Sequence, residues 1–269
     1  MPIASVPDDA VDRDASLENR SILSALQPEP TEQIAYGPNS DQVADVFLPS
    51  ASTTKTCLVI FVHGGYWRPS VNLDHARSLA RALADAGCLT CSIEYRRVPG
   101  EPNVMIGDVL LAIASLPGLL GFDGQAPLLV GHSAGGHLAL VAASRLKEGI
   151  AGVLALAPVT DLHDAHARDL GSGAVAAFLG GPAGSRPDLD PVRCPEPASP
   201  VTVIHGARDS IVPIAQAHAL ALAWPNACRI VVVDDAAHFE LIDPTAQGWE
   251  VVAAEVERQA LRLTRTTHP

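Results

Sequence analysis

Ser133 lies between two glycines in the order Gly131-His132-Ser133-Ala134-Gly135. A serine hydroxyl is a weak nucleophile unless a base takes its proton. Small neighbours help to expose it. The glycines let an incoming strand and an outgoing helix pass closely, and the sharp turn between them presents Oγ outward. The N-terminus of that helix adds positive potential beneath the oxygen. The pattern points to attack on a carbonyl carbon, which calls for an imidazole and a carboxylate. His238, one of ten histidines, stands in Asp234-Asp235-Ala236-Ala237-His238-Phe239, just after the last β-branched run. Asp209 ends His205-Gly206-Ala207-Arg208-Asp209, just after the run before it. We assign Ser133 as candidate nucleophile, His238 as general base and Asp209 as the acid that orients the imidazole. A helix cap is the alternative role for Asp209, and Asp234 and Asp235 are its rivals.

A second glycine pair follows the apolar run Leu58-Val62, in His63-Gly64-Gly65-Tyr66-Trp67. Without side chains in the way, backbone N–H groups can point at a developing oxyanion, each such donor contributing about 3 kcal/mol in the transition state. Gly65, Tyr66 and Ala134 are the candidate donors, with His63 bracing the loop. Trp67, Arg68, His132, His163 and Phe239 are candidate pocket residues. His132 and His137 flank the serine and should point into packing or along the helix. Arg68 and Arg168 are the cations to try for a substrate carboxylate, with plain surface charge as the alternative. His163 and His166, beside Asp161, Asp164 and Asp169, form the other titratable cluster, read as solvated rather than metal-binding. No metal or cofactor is called for.

Positioning these residues takes an alternation of strands and helices. β-branched or apolar runs recur at Leu58-Val62, Leu89-Tyr95, Pro127-Val130, Val153-Ala157, Val201-His205 and Arg229-Val233. Helical spacing of apolar residues recurs from Ala76 to Leu83, Ile106 to Ile113 with Pro117 as a stop, Ala217 to Trp224 and Trp249 to Val256, and a helix opens at Ala134 and runs to about Leu146. This texture predicts an α/β fold, a mostly parallel sheet covered by helices on both faces. Residues 36–265 form that domain. Residues 1–35 read as an acidic arm laid over it, with a helical turn or two near Leu17 to Leu26. Residues from 160 to about 196, rich in Gly, Pro and Asp, read as a small lid in which a short segment around Ala174-Leu179 is helical. No internal repeat or low-complexity tract is visible.

The chain has 269 residues, 48% of them hydrophobic, enough for one large core. Its net charge of -12, from 18 Lys plus Arg against 30 Asp plus Glu, disfavours nucleic acid and anionic lipid as partners. Homo-oligomerisation is left open. Of five cysteines, Cys57, Cys88 and Cys91 fall in or beside apolar runs and read as small buried hydrophobes. Cys88 and Cys91 have C-x-x-C spacing without a second pair. Asp8, Asp9, Asp12 and Asp14 argue against a secretory signal, and no run reads as the ~18 apolar residues of a membrane span. A cytoplasmic location is the resulting expectation.

Taken together, the motifs resemble the α/β-hydrolase superfamily, and within it the esterase and arylformamidase-like branch. They run from Tyr36-Gly37-Pro38 through HGGYW at 63–67, Glu94-Tyr95-Arg96, GHSAGG at 131–136 and HGxxDxxVP at 205–213 to His238-Phe239-Glu240. The resemblance implies the α/β-hydrolase fold with a lid insertion and hydrolysis through an acyl-enzyme on Ser133. The implied substrate is a small carboxylic ester, or alternatively an N-formyl aryl amide such as N-formylkynurenine. The HGGYW loop is similar to that of kynurenine formamidases. Ala237 replaces the glycine usual before the histidine. The propeller of prolyl oligopeptidases and the HxGTHxD motif of metal-dependent formamidases are absent. A non-catalytic hydrolase-fold binder is a remote alternative, because none of Ser133, His238 and Asp209 is lost.

Overall fold

The computed structural model describes residues 18–49, 57–122 and 125–266, the side chains of 263–266 excepted. Most of the acidic arm, residues 1–17, lies outside the described residues. The central strands form because their sequences are apolar almost throughout, as strands covered on both faces must be. Alternation then divides each strand between two cores. In β3 (Leu58–Val62), Leu58, Ile60 and Val62 face one hydrophobic cluster, while Val59 and Phe61 face the other.

The sheet has eight strands in the order β1-β2-β4-β3-β5-β6-β7-β8. After β3 come β4 (Leu89–Ile93), β5 (Leu128–His132), β6 (Gly152–Leu156), β7 (Val201–Gly206) and β8 (Cys228–Val233), all paired in parallel. β1 (Glu32–Ala35) and β2 (Val43–Phe47) pair antiparallel at one edge. The sheet therefore begins at Glu32, ahead of the boundary expected at residue 36. On one face lie α3 (Pro102–Leu119), α4 (Ala134–Arg145) and α7 (Ala215–Ala223). On the other lie α2 (Arg77–Asp85), α8 (Gly248–Thr266) and the short α1 (Ser21–Ser24), whose Ile22 is buried.

Three further details of the fold differ from the sequence-based expectations. Pro117 does not stop α3, which ends two residues later at Leu119. Pro117 removes one N–H, the donor to the Ile113 carbonyl one turn earlier, and two further residues complete the last turn beyond it. α3 also has the length and composition of a membrane span, although Met105, Ile106, Val109, Ala112 and Leu116 are wholly buried against the sheet. Finally, Cys57 and Cys88 are joined by a disulfide rather than lying as separate buried thiols. They immediately precede the neighbouring strands β3 and β4, with Cα atoms 5.0 Å apart. Cys91 and Cys194 are free and buried, and Cys228 is free and half-buried.

Candidate active site

The strand-to-helix turn at Ser133 is strained, as the flanking glycines suggest. Ser133 has φ 54° and ψ -119°, a region that L-residues rarely adopt. Its N–H donates to Leu156 O at 2.8 Å and its carbonyl accepts from His137 N–H at 3.0 Å, so the turn is held from both sides. A Cβ added at Gly135 would lie 2.1 Å from Val62 O, which leaves glycine as the residue that lets α4 cross the end of β3. Ala134 opens α4, where first-turn N–H groups lack intrahelical acceptors.

The 63–67 loop closes directly on the serine. A Cβ at Gly64 would stand 3.1 Å from Ser133 Cβ. Gly65, Tyr66 and Trp67 all have positive φ, at 117°, 51° and 57°. Such geometry must be held from outside. His63 provides part of the hold, its Nδ1–H donating to Gly64 O at 2.7 Å. Burial, then the neighbouring Arg97 charge, lowers the His63 pKa to about 3, so the ring is neutral. Arg97, rather than His63, carries the positive charge beside Glu94. Glu94 also accepts from the backbone N–H of Leu73 and Tyr95 at 3.1 and 2.9 Å. Tyr95 OH donates to His63 O at 3.0 Å, and Tyr36 OH donates to Glu94 O at 2.6 Å. Tyr36 and Glu94-Tyr95, which entered the sequence reading only as parts of motifs, thus form the brace behind the loop.

Asp209 and His238 meet across the ends of β7 and β8. His238 Nδ1 is 2.7 Å from Asp209 Oδ2. A carboxylate only accepts, so Nδ1 carries the proton and Nε2 keeps the lone pair. Asp209 Oδ1 accepts from the N–H groups of Ile211 and Val212 at 2.9 and 2.7 Å. His205 Nε2, donating to Val212 O at 2.8 Å, lies 3.4 Å from Oδ2. Burial would raise the Asp209 pKa, but the electrostatic attraction of His238 and the hydrogen bonds from His205 and His238 outweigh it. The net effect holds the carboxyl well below the usual range. The two loops come this close because a Cβ at Gly206 would meet Ala236 O at 2.3 Å. The rival acids Asp234 and Asp235 are exposed, and Asp235 pairs with Arg208 at 3.6 Å.

Of the expected pocket residues, His132 and Phe239 surround His238. The His132 ring centroid is 4.5 Å and that of Phe239 5.1 Å from the His238 ring. His132 Nε2–H donates to His238 O at 3.2 Å, and burial first, then His238, lowers its pKa well below the ordinary value. Trp67 is 2% exposed and stacks on Phe178 at 4.5 Å, which places its ring under the excursion rather than at an open surface. Arg68 donates to Gly171 O at 2.6 Å. Arg168 pairs with Asp164 at 2.8 Å, and His163 and His166 are exposed on α5 (Leu162–Ala167). Among the described residues, no group of three or more His, Cys, Asp and Glu is placed to hold a metal ion.

The excursion from 160 to 196 carries α5, a helix that the sequence reading did not anticipate, as well as α6 (Ala174–Leu179) and three short turns. It seats on the 63–67 loop. A Cβ at Gly171 would touch the Tyr66 ring at 2.6 Å, Phe178 stacks on Trp67, and Leu189 O accepts from His137 Nε2–H at 2.8 Å.

Sheet order and the crossing of β5 into α4 define the class: the chain is an α/β-hydrolase. Esterase B from Lactobacillus rhamnosis shares the fold, with a TM-score of 0.75 at 19% identity over 92% of this chain and 91% of that one. More narrowly, the BD-FAE family model matches residues 44–223, and the chain belongs to that family. A kynurenine formamidase of Danio rerio is 33% identical over 127 residues, 46% of this chain and 41% of that protein. Esterase LipC of Mycobacterium tuberculosis is 27% identical over 87% of this chain and 67% of its own length. The alignment to the formamidase thus spans about two fifths of its length.

Proposed function

We propose that the protein is a serine hydrolase that cleaves small carboxylic esters. The observation that carries this reading is a strained Ser133 next to His132, whose ring centroid lies 4.5 Å from that of His238, together with the His238–Asp209 contact that leaves Nε2 as the basic nitrogen. Ser133 Oγ attacks the ester carbonyl as His238 Nε2 takes its proton. Backbone N–H groups of Gly65, Tyr66 and Ala134 receive the oxyanion. His238 returns the proton to the leaving alcohol, and the acyl group stays on Ser133. A water, deprotonated by His238, then attacks the acyl carbon and releases the acid and the free serine. Asp209 keeps the imidazole in the required tautomer and stabilises its cation.

Likeness to a kynurenine formamidase supports a second reading, hydrolysis of an N-formyl aryl amide by the same steps. Both readings imply a small acyl group, and burial of Val175, Phe178 and Leu179 of the excursion in the core supports that. The test is kcat/KM on p-nitrophenyl esters from acetyl to dodecanoyl beside N-formylkynurenine. Acetyl or butyryl esters should lead. Dominance of N-formylkynurenine would select the second reading. A continued rise through dodecanoyl, at ~0.8 kcal/mol per buried methylene, would contradict both.

A further inference from the structure

Glu18 is a carboxylate from the acidic arm, and it is buried. One oxygen accepts from both the N–H and the hydroxyl of Ser210, each at 2.8 Å. The other accepts from the N–H of His238 at 2.9 Å. One side chain therefore ties the residue after Asp209 to His238 itself. The arm adds two further contacts nearby: the Arg20 guanidinium lies 5.8 Å from the Phe239 ring centroid, and Ile22 is buried in the core beneath. A buried carboxylate is costly unless its hydrogen bonds are met. Here they are met by backbone and hydroxyl donors of the two loops whose separation fixes the Asp209–His238 contact.

We propose that Glu18 is a positioning residue for the active site, holding the His238 loop in register with the Asp209 loop. This role rests on the serine-hydrolase reading above. It acts through geometry: the carboxylate does not touch the reacting atoms, and a loop displaced by a fraction of an ångström misdirects the imidazole. Glu18→Gln is the sharpest variant. It keeps the volume, but it replaces one oxygen with an amide donor, so either the His238 N–H or the Ser210 donors lose their acceptor.

The test is p-nitrophenyl acetate hydrolysis by full-length Glu18→Gln and Glu18→Ala, with Ser133→Ala measured beside them. The downfield NMR resonance of the proton between His238 and Asp209 is followed in parallel. We expect kcat to fall about ten- to a hundredfold while KM changes less than about twofold. The downfield resonance should shift or broaden even where Glu18→Gln melts near the parent temperature. If Glu18→Ala does not fold, Glu18→Gln decides. Unchanged kcat with an unmoved resonance in Glu18→Gln, while Ser133→Ala is inactive, overturns the positioning role alone. Activity retained by Ser133→Ala overturns the reading beneath it.

Discussion

At the scale of single residues, the site is organised by carboxylates and imidazoles whose burial sets their charge. Asp209 remains ionised in the fold because its donors outweigh its desolvation. A depressed folded-state pKa means that its contribution to stability is fully present above the ordinary carboxylate value of about 3.9. That contribution is lost only as pH falls through the lower folded value. Protonation of Asp209 therefore does not set the mildly acidic limit of activity. Asp209→Asn should fold, since the amide oxygen can still accept from Ile211 and Val212. It would present an NH₂ to His238 Nδ1, favour the wrong tautomer and lower kcat by about 10⁴. Steady-state kinetics checks this, and a loss below about tenfold, far short of that scale, would remove Asp209 from the mechanism. The sharp turn at Ser133 and the contact of His238 with Asp209 were legible because residue types and chain order follow the chemistry. Glu18 was not: its partners lie 192 and 220 positions away, and an acidic arm offers no local signal for such a contact.

At the scale of elements, the parallel strands could be read because burial on both faces leaves them apolar. β1 was missed for the opposite reason, and β2, although buried, because a charged residue interrupts it. Glu32 to Ala35 form a largely exposed edge strand. β2 carries Asp45, buried but paired with Arg77 at 2.7 Å. α5 was hidden by its His and Asp content, which suits a helix exposed on one side. The excursion also holds Asp190, which is buried and accepts from Leu162 N–H at 3.0 Å. Burial raises its pKa to about 6 despite that bond and the nearby Arg193. The raised value favours the protonated form, so its contribution to stability is full below about 3.8 and is lost as pH rises through about 6. Asp190→Asn keeps the acceptor for Leu162 without the charge. Its melting temperature at pH 8 should exceed the parent's by about 2–4 °C, on the order of 1 kcal/mol. At pH 4 that advantage should vanish. Destabilisation at pH 8 would instead show that the Asp190–Arg193 pair is needed.

At the scale of the whole molecule, the Cys57–Cys88 bond pins the starts of two central strands and closes a separation of 31 residues. A loop of that length corresponds to about 3–4 kcal/mol in the chain-entropy account. Its partners were not legible, because the neighbouring of β3 and β4 is a property of sheet order rather than of spacing. The cytoplasmic expectation drew on cysteines without a bond, and that support is gone. Cys57→Ser with Cys88→Ser should lower the melting temperature while leaving kcat near the parent value, since neither sulfur adjoins the Ser133 turn. Thermal denaturation and ester hydrolysis on the same preparation check both halves. The central claim is nucleophilic attack by Ser133, and the most direct measurement is covalent labelling with a fluorophosphonate, the modified residue located by peptide mass spectrometry and turnover of p-nitrophenyl acetate compared with Ser133→Ala. We expect stoichiometric modification at Ser133, no labelling of Ser133→Ala, and a loss of about 10⁴–10⁶ in kcat in that variant. Labelling at another residue, or Ser133→Ala retaining more than about a hundredth of the parent activity, far above that scale, would contradict the mechanism.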